Sequence, residues 1–320
     1  MREIAFIQQN KEKWLIFDAA TRGEMSRDPR ELADLYISLM NDLAFAQTYY
    51  PRSKVVSDLN QLCAKAYQGI YKTRRADYFW LPRFFTTTVP LIMYKYRYIF
   101  WIALSLFLIS VGIGVLSARY NEAFIRQILG DSYVEMTLEN IRDGNPVAVY
   151  KSGSNWGSFI AITYNNIQVA VRAFVLGITG GIGTAYIALT NGIMLGAFQY
   201  LFLEQGVFWQ SVRGVWIHGA MEIFSIVIAT MAGLILANGI WFPGTFTRKQ
   251  SLINAFKEGF IIFLSTLPFF FVAGFFEGFV TRYALDIPVV PGAVIIIGSL
   301  GFIIWYYMIF PIRVVKKIIG

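Results

Sequence analysis

The sequence predicts an all-α membrane protein, a bundle of about six spans with a helical domain ahead of it. Three observations predict this. Hydrophobic residues fill 56% of the 320 positions and charged residues only 15%, where a soluble chain carries charge at about a quarter of its positions. Mean hydropathy is +0.51. The apolar residues also gather in runs near the ~20 residues that a helix needs to cross hydrocarbon.

The helical head is expected over residues 1–92. Asp28-Pro29-Arg30-Glu31 reads as a helix start, with Asp28 as cap, Pro29 in the first turn and Glu31 placed for a capping box. Leu32, Leu35, Tyr36, Leu39, Met40 and Leu43 then form one stripe at three-and-four spacing. Tyr50-Pro51-Arg52-Ser53 breaks the pattern, and Val56, Leu59, Leu62, Cys63, Ala66 and Ile70 form a second stripe. Such faces must be covered, here by each other and by a helix containing Trp14, Leu15 and Phe17. The opening MREIAFIQQNKEKW has no continuous apolar stretch or cleavage site, so no cleaved signal peptide is expected. Cys63 is the single cysteine, which excludes an internal disulfide and a cysteine-based metal site.

The membrane domain is expected over 93–320. Arg74-Arg75 and Phe79-Trp80-Leu81-Pro82-Arg83 form a basic, aromatic approach to the bilayer surface. Spans follow at about 98–116, 169–189, 191–208, 215–238, 259–281 and 291–312, with a polar extracytoplasmic segment over 118–164. Thr190-Asn191-Gly192 is read as the tight reversal between the second and third spans, with one broken segment as the alternative. The net charge of +8 points to anionic lipid rather than nucleic acid, because surplus Lys and Arg mark cytoplasmic surfaces. Arg74, Arg75, Arg83, Lys95 and Arg97 flank the first span; Arg248, Lys249 and Lys257 precede the fifth; Arg313, Lys316 and Lys317 follow the last. These clusters share one side only if the number of spans is even. The reading is therefore a cytoplasmic (inner) membrane protein with both termini cytoplasmic, and with Trp241 and Trp305-Tyr306-Tyr307 as interface anchors.

Gly177, Gly181, Gly192 and Gly196 recur at spacings that let membrane helices approach closely, within the chain or in self-association through 177–196. The run GITGGIG is no dinucleotide loop, since no strand–helix alternation surrounds it.

The residues that point to function are polar ones inside the apolar half. His218 and Glu222 are four apart on one helix face, as are Glu277 and Thr281, and Asn165 and Asn166 stand just ahead of the expected second span with Arg172 one to two turns on. The topology brings them to one depth, near the outer leaflet. An ionisable side chain there costs roughly 2.5–3.5 kcal/mol on insertion scales, so it faces the bundle interior and a partner. Four uses compete: a structural hydrogen-bonded knot, a proton, ion or small-substrate site of a transporter, an intramembrane metallohydrolase, and a lipid-headgroup site. The hydrolase is disfavoured because the chain has one histidine and no His-Glu-x-x-His, so neither metal nor cofactor is expected.

These residues, in this order, carry a resemblance. Asn165-Asn166, Gly177 and Gly181, Asn191-Gly192, His218-Gly219 with Glu222, and Phe276-Glu277-Gly278-Phe279-Val280-Thr281 resemble the stage II sporulation protein M family. In the head the likeness rests on Trp14, Pro29-Arg30-Glu31-Leu32, Asp42-Leu43-Ala44, Tyr50-Pro51 and Leu59-Asn60. Ile217 stands where the family usually has proline. The resemblance implies a non-enzymatic membrane component that assembles with envelope or other membrane partners, as a homo-oligomer or with another membrane protein. The alternative is a transporter or channel for an ion or small substrate, using His218, Glu222 and Glu277.

Overall fold

The structure, a computed structural model, describes residues 2–21, 29–72, 79–151 and 153–319. The expected cap Asp28, the side chain of Glu31 and Arg74-Arg75 lie outside them. The chain is helical, with no strand among the described residues. It divides into two compact units, residues 1–79 and 80–320.

In the first unit α1 (Glu3–Thr21), α2 (Pro29–Tyr49) and α3 (Lys54–Lys72) enclose Phe6, Phe17, Leu39, Leu43, Ala46, Leu59, Cys63 and Ala66. The Trp14 indole donates to Asp42 Oδ2 at 2.8 Å, and Lys13 pairs with the same carboxylate, which ties α1 to α2. Both expected stripes are there in outline. Met40 is 42% exposed and Leu15 59% exposed, so each belongs to the outer face instead.

The second unit opens with α4 (Trp80–Arg83), a π turn and α5 (Val89–Lys95). The sequence reads this stretch as a surface approach that ends the head at 92. Val89, Ile92 and Met93 are nevertheless buried in the core of the second unit, and Tyr306 donates to the Phe85 carbonyl at 3.0 Å. The limit of the head therefore moves back to 79.

Among the described residues, six helical segments are long and apolar enough to cross a membrane. The first is α6 (Arg97–Tyr120). Two short helices, α7 (Glu122–Leu129) and α8 (Asp131–Arg142), follow it. The second span is α9 (Asn155–Val175) with a 3-10 turn to Thr179, and the third is α10 (Ile182–Glu204). The fourth, α11 (Phe208–Trp241), is the central helix, packed on α6, α9, α10, α12 and α13. Its glycines, alanines and serines give neighbouring backbones room to approach. It runs unbroken through Ile217, where the family's proline would stand. The fifth is α12 (Arg248–Phe275) with a π turn at Phe276–Val280 and a 3-10 turn to Tyr283. The sixth is α13 (Val289–Ile304), a π turn, and α14 (Phe310–Ile319).

Two boundaries differ from the sequence reading. The second span begins at Asn155, so Asn165 and Asn166 lie in mid-helix, and the polar segment is confined to 121–154. The reversal between spans two and three is Gly180-Gly181, at φ of 72° and 92°, a left-handed pair that only glycine adopts cheaply. Asn191 and Gly192 sit inside α10. Asn-Gly mimics a turn, but its amide donates to the Ile187 carbonyl at 2.8 Å within the helix.

One end of the bundle is fixed by polar contacts. Lys95 pairs with Glu258 at 2.7 Å, and α5 packs on α14, so the start of α6, the start of α12 and the end of α14 lie together. Trp241 is exposed at this end and donates to the Gly180 carbonyl at 3.0 Å. Tyr306 and Tyr307, expected as surface anchors, are buried; Tyr307 is 2% exposed and meets Ser265 at 2.9 Å. Their hydroxyls find partners inside the protein, so water is not needed to satisfy them.

The glycines are used inside the chain. Gly192 and Gly196 of α10 lie against the backbone of α6, and Gly177 lies against Gly233 of α11.

Candidate functional site

A cavity of about 670 Å³ opens between α9, α10 and α11, closed at one end by α7 and α8. Most of its wall is apolar, including Phe107, Ile162, Val169, Leu195 and Ile226. Set into that wall are Asn165 and Asn166 from α9, Asn191 from α10, His218 and Glu222 from α11, and Glu277 from the π turn after α12. A mostly apolar cavity with a few convergent polar groups is the usual form of a ligand site.

Local sequence places each group. His218 and Glu222 project from the same side of α11 one turn apart. The π turn widens the helix by one residue per turn, a distortion found often at functional sites, and it carries Glu277. Two arginines then fix the backbone after it. Arg282 donates to the Gly153 carbonyl and to Ser158 Oγ, both at 3.0 Å, and Arg213 donates to the Ile287 carbonyl at 2.7 Å. Thr281 is fully buried, and its hydroxyl lies 2.9 Å from His218 Nδ1.

On the other side of the imidazole, Nε2 lies 3.6 Å from Glu277 Oε2, with the two side chains 5% and 11% exposed. One ligand-type atom from each of His218, Glu222 and Glu277 falls within 4.8 Å of the others. Asn166 lies beside the Glu222 carboxylate, whose Oε1 is buried and has no hydrogen-bond partner among the described residues. No Lys or Arg is paired with either glutamate among the described residues.

The structure thus brings together His218, Glu222, Glu277 and Thr281, with Asn165 and Asn166 on the same cavity wall. Arg172 lies elsewhere, reaching only Gln168 at 3.5 Å. Gly177, Gly181, Gly192 and Gly196 shape the bundle around the cavity and do not line it. Three lining residues escape the sequence reading: Asn191, Ser158 and Tyr133. Asn191 is visible as a polar residue in an apolar run once that run is read as one helix. Tyr133 sits on α8, outside the spans, and nothing local in the sequence marks it. Burial pushes its phenol up to about 12, so it faces the cavity protonated and able to donate.

A bundle of six candidate spans around an apolar cavity set with a few polar groups defines a multi-pass membrane protein. The chain belongs to the stage II sporulation protein M family, whose model matches residues 103–282, more than half of the chain and every residue of the site. This is not a known family of enzymes. Residues 4–72, the head, match a second family model described as a domain of unknown function, DUF8413. No curated protein and no solved structure matches the chain.

Proposed function

We propose that this protein moves a cation across the membrane through the cavity between α9, α10 and α11. The observation that carries the reading is the pair of carboxylates, Glu222 and Glu277, set with the chain's one histidine in an apolar wall and paired with no lysine or arginine among the described residues. Two carboxylates in such a wall concentrate negative potential and attract cations. A hydrogen-bonded knot would pair its buried oxygens, whereas Glu222 Oε1 has no partner among the described residues.

The test is uptake into proteoliposomes loaded with dyes for protons and for divalent cations. Wild type is expected to exceed protein-free vesicles, and Ala161→Trp, which fills the cavity from α9, is expected to return uptake to background at an unchanged level of folded protein. Wild-type uptake equal to that of empty vesicles for protons, Na⁺ and divalent cations alike would sink the proposal.

The same reading puts the protein in the cytoplasmic membrane with both termini inside. Support comes from the gathering of Lys95, the start of α12 and the basic end of α14 at one end of the bundle, because basic residues favour the cytoplasmic face. Glu135 lies on α8 with its side chain 61% exposed, and the native Cys63 is buried. Glu135→Cys should therefore react with an impermeant maleimide on intact cells; reaction only after lysis would invert the topology.

A second reading, assembly with membrane or envelope partners, draws on the head. Ile4 and Leu15 of α1 and Ile37 and Met40 of α2 are exposed apolar side chains on a folded domain and are open to a partner. Crosslinking in cells followed by purification in mild detergent should recover a stoichiometric partner or a second copy. Recovery of a lone monomer would count against it.

A further inference from the structure

The corner of the cavity formed by His218, Glu222 and Glu277 has the spacing of a metal-ligand set. At 3.6 Å, His218 Nε2 and Glu277 Oε2 are beyond the 2.7–3.2 Å of an ordinary hydrogen bond. Two ligands bound tetrahedrally at about 2.0–2.1 Å from one ion stand roughly 3.3–3.4 Å apart, so this pair needs only a small movement to share one. The third donor is at hand: an atom of Glu222 lies within 4.8 Å of both, and the Glu222 carboxylate keeps a buried oxygen without a partner among the described residues.

The surroundings point the same way. Metal-binding histidines are held by a hydrogen bond from the other ring nitrogen to an oxygen, and Thr281 Oγ1 stands 2.9 Å from His218 Nδ1. With Nδ1 donating there, Nε2 turns its lone pair toward the glutamates. Asn166 stands beside Glu222, in place to orient it in the same way. A divalent ion would also offset two carboxylate charges that no lysine or arginine balances among the described residues. The sequence reading weighs His218 with the two glutamates as metal ligands and disfavours them for want of further histidines; the fold adds their spacing.

We infer that His218, Glu222 and Glu277 bind one divalent first-row transition cation of the Mn²⁺–Zn²⁺ series, one side remaining open to the cavity. The inference rests on the reading of the cavity as a cation site and names the cation class. One imidazole with two carboxylates suits these ions, whereas Mg²⁺ prefers six oxygens and keeps its water.

The experiment uses the full chain, purified in detergent, stripped with chelator and titrated separately with Zn²⁺, Co²⁺, Mn²⁺ and Mg²⁺. One equivalent of Zn²⁺ or Co²⁺ is expected, undisplaced by equal Mg²⁺. The chain has one histidine, so ¹⁵N-histidine NMR of wild type reads this site alone, and Zn²⁺ should shift Nε2 and not Nδ1. Glu222→Gln and His218→Gln are expected to weaken binding at least about 100-fold. The absence of saturable binding, binding that leaves the imidazole signals unmoved, or binding kept by both variants would each overturn the site. Metal binding without uptake of any cation into vesicles upholds the site and removes the transport reading. Proton or Na⁺ uptake without metal binding does the reverse.

Discussion

Glu222→Gln, and separately Glu277→Gln, should each reduce cation uptake by about 100-fold while the amount of folded protein in the membrane stays unchanged. The size follows from loss of a buried charged partner, about 3 kcal/mol, at 1.4 kcal/mol per tenfold. The unchanged folding follows from the same physics with the opposite sign. A carboxylate in an apolar wall is costly to desolvate, and glutamine keeps its shape without the charge. If the two glutamates served only to hold the bundle, each variant would deplete folded protein, and uptake would fall in proportion. Comparing uptake per folded molecule separates the two cases. Full uptake by Glu222→Gln would remove the cavity from the mechanism.

What the sequence discloses and what it hides have one cause. The central and later spans are plain because α11, α12 and α13 are apolar on almost every side. The second span is mistaken by more than ten residues at its start because Asn155, Ser158, Asn165 and Asn166 make its first half look like a loop. Asn165 and Asn166 are polar side chains that line the cavity from α9, so the cavity wall itself erases the hydropathy signal. The reversal is misplaced for a related reason. Asn191-Gly192 has turn chemistry, yet Gly192 is there to let α6 approach and Asn191 to line the cavity. The candidate site fares better, since a lone histidine and two glutamates stand out in any apolar run. Their mutual distances do not, because those depend on the π turn at Phe276–Val280, which rotates Glu277 and has no sequence signature of its own. Tyr306 and Tyr307 mislead in the other direction: aromatic residues near a span end resemble interface anchors until their buried partners are known.

Gly196→Leu is expected to be among the most damaging single changes in the bundle. Gly196 faces Val111 and Val115 of α6 across a contact so close that a Cβ would lie 2.9 Å from the Val115 nitrogen and nearer still to the Val111 carbonyl. Backbone cannot yield as a side chain can, so α6 and α10 must separate along their length. Overpacking of this kind costs about 3 kcal/mol or more, and in a membrane lipid cannot restore the lost packing through a hydrophobic drive. Separation would also displace Phe107 on one side and Asn191 and Leu195 on the other, all on the cavity wall. The variant should therefore melt at a lower temperature in detergent, and whatever folds should show impaired uptake. Gly196→Ala should show the same effects on a smaller scale, since its added methyl meets the same backbone. The contrast is with Gly181→Leu. There the Cβ meets Ala237 at 3.1 Å, and the main cost is the φ of 92°, a strain of about 1–3 kcal/mol confined to the turn. A role for these glycines in self-association predicts something different: Gly196→Leu would convert an oligomer to monomer at an unchanged melting temperature. Size-exclusion profiles recorded along the thermal scan distinguish the two, and an oligomer shift without destabilisation would refute the intramolecular packing of α6 on α10.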